Sequence, residues 1–204
     1  MNKTRFAVMV AAVLGFVFAW SSAMAQSIVG TPHDFKARGW GSGEVCIFCH
    51  ATHNASATPL APLWNHASTA ATFTVYQNTF GTLNATDVGQ PGGVSKACLS
   101  CHDGTIAIDS YGTRTGTTNM TGGALLGTAL GNDHPIGFTY NAALATADGA
   151  LVTPASASQV VAGVPLFVSK MECASCHNVH TNVNGNFLRS TNAASALCLK
   201  CHVK

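Results

Sequence analysis

Cys46-Ile47-Phe48-Cys49-His50-Ala51-Thr52-His53 is the stretch on which the reading of this chain turns. Two cysteines three positions apart, followed at once by histidine, put two thiols and an imidazole on one tight turn. The same spacing returns at Cys98-Leu99-Ser100-Cys101-His102, Cys173-Ala174-Ser175-Cys176-His177 and Cys198-Leu199-Lys200-Cys201-His202. Together the four copies use all eight cysteines of the 204 residues. This is the pattern of covalent c-type haem attachment, in which the thiols form thioethers to the porphyrin and the histidine binds iron from one face. Disulfides and zinc are the other uses of paired cysteines, and neither requires a histidine directly after the second cysteine every time. The expected cofactors are four c-type haems. Cys46, Cys49, Cys98, Cys101, Cys173, Cys176, Cys198 and Cys201 would hold them, with His50, His102, His177 and His202 as proximal iron ligands.

The first and third copies run on to a second histidine, as His50-Ala51-Thr52-His53 and His177-Asn178-Val179-His180. The second and fourth share Cys-Leu-x-Cys-His and stop there. The chain therefore reads as a doubled pair of motifs, about 46–102 and 173–202, with starts 52 residues apart in the first pair and 25 in the second. On a helical turn, histidines three apart share a face, with Cβ atoms roughly 5–6 Å apart. An iron takes its axial ligands from opposite faces of the porphyrin. His53 and His180 are thus directed to haems other than those held by His50 and His177.

Four irons need four distal ligands, and five histidines lie outside the proximal positions: His33, His53, His66, His134 and His180. His33, His53, His134 and His180 form the expected distal set, with His66 as the spare and the alternative. His33 in Pro32-His33-Asp34-Phe35 and His134 in Asp133-His134-Pro135 occupy turn-like segments able to present an imidazole. A structural ion-pairing role beside their carboxylates is the other reading. Beyond residue 25 the only methionines are Met120 and Met171, and Met171 stands too close to Cys173 to reach round its haem. Bis-histidine ligation lacks the methionine that raises cytochrome potentials, so low potentials are expected.

Lys3 and Arg5, the apolar run from Phe6 to Trp20 and the small-x-small site Ala23-Met24-Ala25 read as an export leader over 1–25. That leaves a single domain over 26–204 with no membrane span. An extracellular or cell-surface location is expected, otherwise a periplasmic one. Without Lys3 and Arg5 the ten Lys and Arg fall to eight, equal to the eight Asp and Glu. A chain so balanced, with no basic stripe, is not a nucleic-acid binder. Its Thr-, Ala-, Gly-, Ser- and Asn-rich surface also offers little electrostatic resistance to self-association. Asn54-Ala55-Ser56, Asn84-Ala85-Thr86 and Asn119-Met120-Thr121 match the glycosylation acceptor pattern.

The 179 residues beyond the leader give each haem about 45, too few for a conventional core around each. The fold class expected is a small multihaem cytochrome c, mostly coil, organised around stacked haems. Short helices belong at the haem motifs, together with a few short strands. Thr72-Phe73-Thr74-Val75-Tyr76 and Thr105-Ile106-Ala107-Ile108-Asp109 alternate as strands do, and the Gly- and Thr-rich residues 112–131 read as a loop.

Several stretches carry a resemblance: Ser27-Ile28-Val29-Gly30 through His33, the motif from Cys46 to His53, and Pro62-Leu63-Trp64-Asn65. To these are added Cys98 through His102-Asp103-Gly104-Thr105, Asp133-His134-Pro135 and the closing Cys198 to His202. They resemble the multihaem c-type cytochromes, and more narrowly the OmcE-type tetrahaem cytochromes that polymerise into extracellular conductive filaments (nanowires). The resemblance implies haems arranged as alternating stacked and T-shaped neighbours. It also implies head-to-tail association of copies of the chain, in which a distal histidine of one subunit completes a haem of the next. His53 is the residue so assigned, while the other distal candidates stay within the subunit. Where filament subunits lack a histidine at the position of His66, its role stays open.

An electron carrier rather than an enzyme is expected, passing electrons to redox partner proteins or extracellular acceptors. Two other classes stand beside the filament subunit. One is a monomeric periplasmic tetrahaem shuttle with every ligand from one chain. The other is a haem redox enzyme with one open iron site.

Overall fold

The structure is a computed structural model that describes residues 27–56, 61–78 and 81–203, so the leader expected over 1–25 lies outside it. Three short α-helices punctuate a chain that is otherwise turn and coil: α1 (Gly93–His102), α2 (Ala142–Asp148) and α3 (Cys173–Cys176). Single 3₁₀ turns lie at Lys36–Arg38, Gly122–Ala124, Ala193–Ser195 and Cys198–Lys200. Among the described residues no helix is long and apolar enough to cross a membrane.

The haem motifs share one local geometry. The histidine N–H returns to the carbonyl of the first cysteine at 2.8 Å in the first copy, 3.0 Å in the third and 2.9 Å in the fourth. Each motif is thus one helical turn, and in the second it is the last turn of α1. The short helices expected at the motifs are present in the second, third and fourth copies, while the first is a hydrogen-bonded turn without a helix. Only α2 stands apart from the motifs. There Asn141 caps the N-terminus by accepting the Leu144 N–H at 2.9 Å, and Gly149 ends the helix at a φ of 74°.

The expected short strands do not form. Among the described residues the only β features are isolated bridges, such as Thr74 with Ala129 and His66 with Tyr111. The reason is that side chains take the backbone groups a ladder would need. The Gln90 amide accepts from Phe73 N at 2.7 Å and donates to Phe73 O at 2.8 Å, standing in for a neighbouring strand. Thr105 N is taken by the Asp103 carboxylate at 2.7 Å. Ile108 N meets Thr118 O at 2.8 Å, one bond from a loop.

Residues 112–131 form the expected loop, and its anchor is Asp109. This carboxylate, 1% exposed, accepts the N–H groups of Thr117 and Thr118 at 2.9 and 2.8 Å and pairs with Arg114 at 3.1 Å. Burial acts to raise its pKa, but these donors outweigh it and hold the carboxyl below the usual range. Gly116 is required by contact, since a Cβ there would lie 2.6 Å from the Asp109 carbonyl carbon.

The apolar residues divide into separate clusters rather than one core. Phe138, Tyr140, Val160, Val164, Leu166 and Met171 form the largest. Phe35, Trp40, Phe48 and Ile108 form a second, packed against Cys49 and Cys101. Smaller groups are Trp64 with Ala97, and Phe73 with Leu99 and Leu130. The link between α1 and α3 is polar. The buried Glu172 carboxylate accepts from Ser95 N at 3.1 Å, and Ser95 Oγ accepts from Cys173 N at 2.9 Å. A carboxylate at the N-terminus of α1 also faces the positive end of the helix dipole.

Candidate haem-binding site

None of the eight cysteines is paired in a disulfide. Burial, joined by the neighbouring Cys46, pushes Cys49 up to about 11, and burial with Cys49 and Asp103 pushes Cys101 up to about 12. Among the described residues no three His, Cys, Asp or Glu side chains gather as a metal-ion cage. Cys49 and Cys101 instead pack against the cluster of Phe35, Trp40, Phe48 and Ile108, and Cys201 against that of Phe138 to Met171, while Cys46 and Cys198 are exposed. Motifs adjoin one another as well: the Cys98 and Cys173 thiols share a hydrogen bond that raises Cys98 and lowers Cys173.

The proximal histidines are oriented by backbone carbonyls. Nδ1–H of His50 donates to Pro62 O at 2.6 Å, that of His102 to Ala124 O at 2.7 Å, and that of His177 to Asn186 O at 2.8 Å. Such bonds set the tautomer, leaving the Nε2 lone pair for a metal and raising its basicity. The carbonyls come from loops that double back onto the motifs. Asn65 N donates to Cys49 O at 2.8 Å, Leu126 N to His102 O at 2.8 Å and Arg189 N to Cys176 O at 2.8 Å. The third loop turns through Asn186 and Phe187, both at positive φ (48° and 56°), a conformation costing about 1–2 kcal/mol per non-glycine residue.

Three proximal histidines face a second imidazole. His50 and His180 have ring centroids 6.3 Å apart with planes at 20°, His102 and His33 6.1 Å apart at 87°, and His202 and His134 6.4 Å apart at 76°. With a metal–imidazole bond of about 2.0 Å and roughly 1.1 Å from nitrogen to ring centre, two imidazoles on opposite sides of one ion stand about 6.2 Å apart. The donor set and its spacing therefore fit a bis-histidine haem iron at all three places. Burial, then the nearby His102 and His180, lowers His33 to about 4, so its imidazole is neutral and able to bind metal at physiological pH.

The remaining proximal histidine, His177 of the third copy, differs. Among the described residues no second imidazole stands opposite His177. It borders a cavity of about 250 Å³ together with Cys173, Cys176, Leu99, Leu130 and Ile136. His134 also lines this cavity but pairs with His202. His53 is exposed on the turn after the first motif and faces no imidazole among the described residues. His66 is 3% exposed, and both its nitrogens meet carbonyls, Nδ1 that of Ala67 at 2.7 Å and Nε2 that of Ala107 at 3.2 Å. Its Nε2 also lies 3.5 Å from Cys101 Sγ.

Some of the site is invisible to sequence reasoning. The orienting carbonyls of Pro62, Ala124 and Asn186 carry no side-chain signature. Phe187 packs on His33 with centroids 4.4 Å apart from more than 150 residues along the chain, with no motif to mark it. Phe35, whose ring centre is 6.0 Å from that of His33, is the one neighbour within the His33 motif itself.

Against known proteins, residues 167–204 match the family described as the doubled CXXCH motif, which takes in the third and fourth copies here. No curated protein matches the chain. The doubled motif indicates a multihaem c-type cytochrome, with haem bound covalently through the cysteines and electron transfer as its work.

Proposed function

We propose that the chain carries four haems and serves as the subunit of an extracellular conductive filament, with His53 of one copy completing the iron held by His177 of the next. The observation that carries this reading is a matched remainder. Three proximal histidines have partners at bis-histidine spacing. One proximal histidine, His177, opens on a cavity without a partner, and one surface histidine, His53, has no iron to serve. The low charge of the chain supports close approach of copies, and the exposed Leu63 and Leu126 add apolar surface beside the His53 turn and the cavity. The haems supply one-electron couples; the protein holds the iron ligands, spaces the motifs and keeps the thioether edges of adjacent motifs together.

A shuttle with all its ligands from one chain requires a fourth imidazole pair, which the described residues do not form. The cavity at His177 does favour a second reading, an enzyme with an open iron there. The variant His53→Ala separates the two. On the filament reading it keeps four covalent haems by mass but yields no long filaments in electron micrographs of sheared cell-surface material. Filaments that persist with unchanged haem spectra would defeat the trans-ligand assignment. A high-spin ferric signal in the native assembly that is quenched by cyanide would favour the open-site enzyme.

A further inference from the structure

His33 is held differently from the other paired histidines. Its Nδ1 is the one imidazole nitrogen among the described residues that is buried without a hydrogen-bond partner. His50, His102 and His134 each donate from Nδ1 to a carbonyl, and His180 is exposed to solvent. What grips the His33 ring is aromatic packing: Phe187 at 4.4 Å and 31°, and Phe35 at 6.0 Å and 83°. Phe187 reaches that position through a left-handed backbone, and Asn178 N fastens the turn to Phe187 O at 2.7 Å. The same turn offers Asn186 O to His177. One strained turn therefore sets an imidazole in each of two neighbouring sites.

We infer that Phe187 is a positioning residue that holds the His33 plane perpendicular to His102, making their shared iron electronically distinct and easier to reduce than the iron between His50 and His180. The inference rests on the reading that His33 and His102 share one iron. Each imidazole donates π density along the normal to its ring. Near-parallel planes, as at His50 and His180, raise one iron dπ orbital and leave the other, giving a rhombic ferric spectrum. Planes at 87° raise both equally, leaving them near-degenerate, and a strongly anisotropic low-spin signal results. The aromatic surroundings of His33 exclude the water that would stabilise the charged ferric state, which favours the reduced form.

Electron paramagnetic resonance of the oxidised holoprotein during a redox titration tests this. His33→Ala identifies the site by converting one strongly anisotropic low-spin signal to high spin. If that variant changes no signal, the ligand reading itself is wrong. In the wild type, the signal so identified should vanish at a higher potential than the rhombic one; the reverse order overturns the inference. Phe187→Leu should shift the same signal toward smaller anisotropy with four haems retained, and Phe187→Tyr should restore it. An unchanged spectrum in Phe187→Leu, alongside an effective His33→Ala, would mean that Phe187 only fills space. Should Phe187→Leu fail to mature, the order of reduction in the wild type still decides.

Discussion

Cys98 and Cys173, the leading cysteines of the second and third motifs, stand thiol to thiol within hydrogen-bonding reach although they are 75 positions apart in the chain. On the proposed reading, both would become thioethers, and this contact would hold the two haem edges near each other. Before that, two thiols in such contact are open to oxidation to a disulfide. Chain produced under limiting haem supply in an oxidising compartment should accumulate a Cys98–Cys173 disulfide in preference to other inter-motif bonds. Peptide mapping by mass spectrometry without reduction is the check, and an even spread over all cysteine pairs would count against it.

The Ser95 hydroxyl is the other tie between these motifs. Replacing it with Ala leaves the Cys173 N–H without the acceptor it now has at 2.9 Å. Leaving such a group unsatisfied costs about 1–3 kcal/mol. The Ser95→Ala holoprotein should melt several degrees lower by near-UV dichroism while keeping its full haem content.

Gly116→Ala should be comparably harmful, because the new methyl meets the Asp109 backbone in a loop pinned by the bonds of Thr117 and Thr118. Overpacking of this kind costs about 1–3 kcal/mol. Gly123, whose added Cβ meets nothing within 4 Å, is the matched control, and Gly123→Ala should unfold like the wild type in a denaturant titration.

Asp87 sets a pH limit. Partial burial acts to raise its pKa, but hydrogen bonds from Lys170 at 2.7 Å and from Thr139 outweigh this and hold it at about 2. A carboxyl held below its unfolded value of about 3.9 stabilises the fold above that pH. The contribution falls away as pH drops toward 2. Both partners of the ion pair are more than one-third exposed, so the gain stays below about 1 kcal/mol. In acid titrations of stability, Asp87→Asn should remove this part of the decline between about pH 4 and 2. An identical slope in the variant would refute the assignment.

The parts of this fold legible in the sequence are those written in covalent geometry. Cys-x-x-Cys-His forces a single turn, and a histidine three residues further on cannot reach round to the far face of its own porphyrin. The structure brings His180 opposite His50, across 130 positions of chain that no spacing rule spans. The alternating segments misled, because alternation reports a half-buried extended chain but not whether a neighbour will pair with it. At Phe73 the neighbour is the Gln90 side chain, and at Thr105 it is Asp103. Nor does a residue name reveal which carbonyl will reach an imidazole. Phe187 is one of ten phenylalanines, singled out only by the turn that aims it at His33.

The division of the apolar side chains into separate clusters has a consequence for the life of the chain. Motif residues touch all four islands: Cys201 packs on the first, Cys49 on the second and third, and Leu99 belongs to the fourth. A polypeptide that missed a cofactor would lose a link between its islands and leave its long coil connections open to proteolysis. A fully loaded chain would be the resistant one. Proteolysis would thus act as an inspector of maturation, clearing copies that lack a haem.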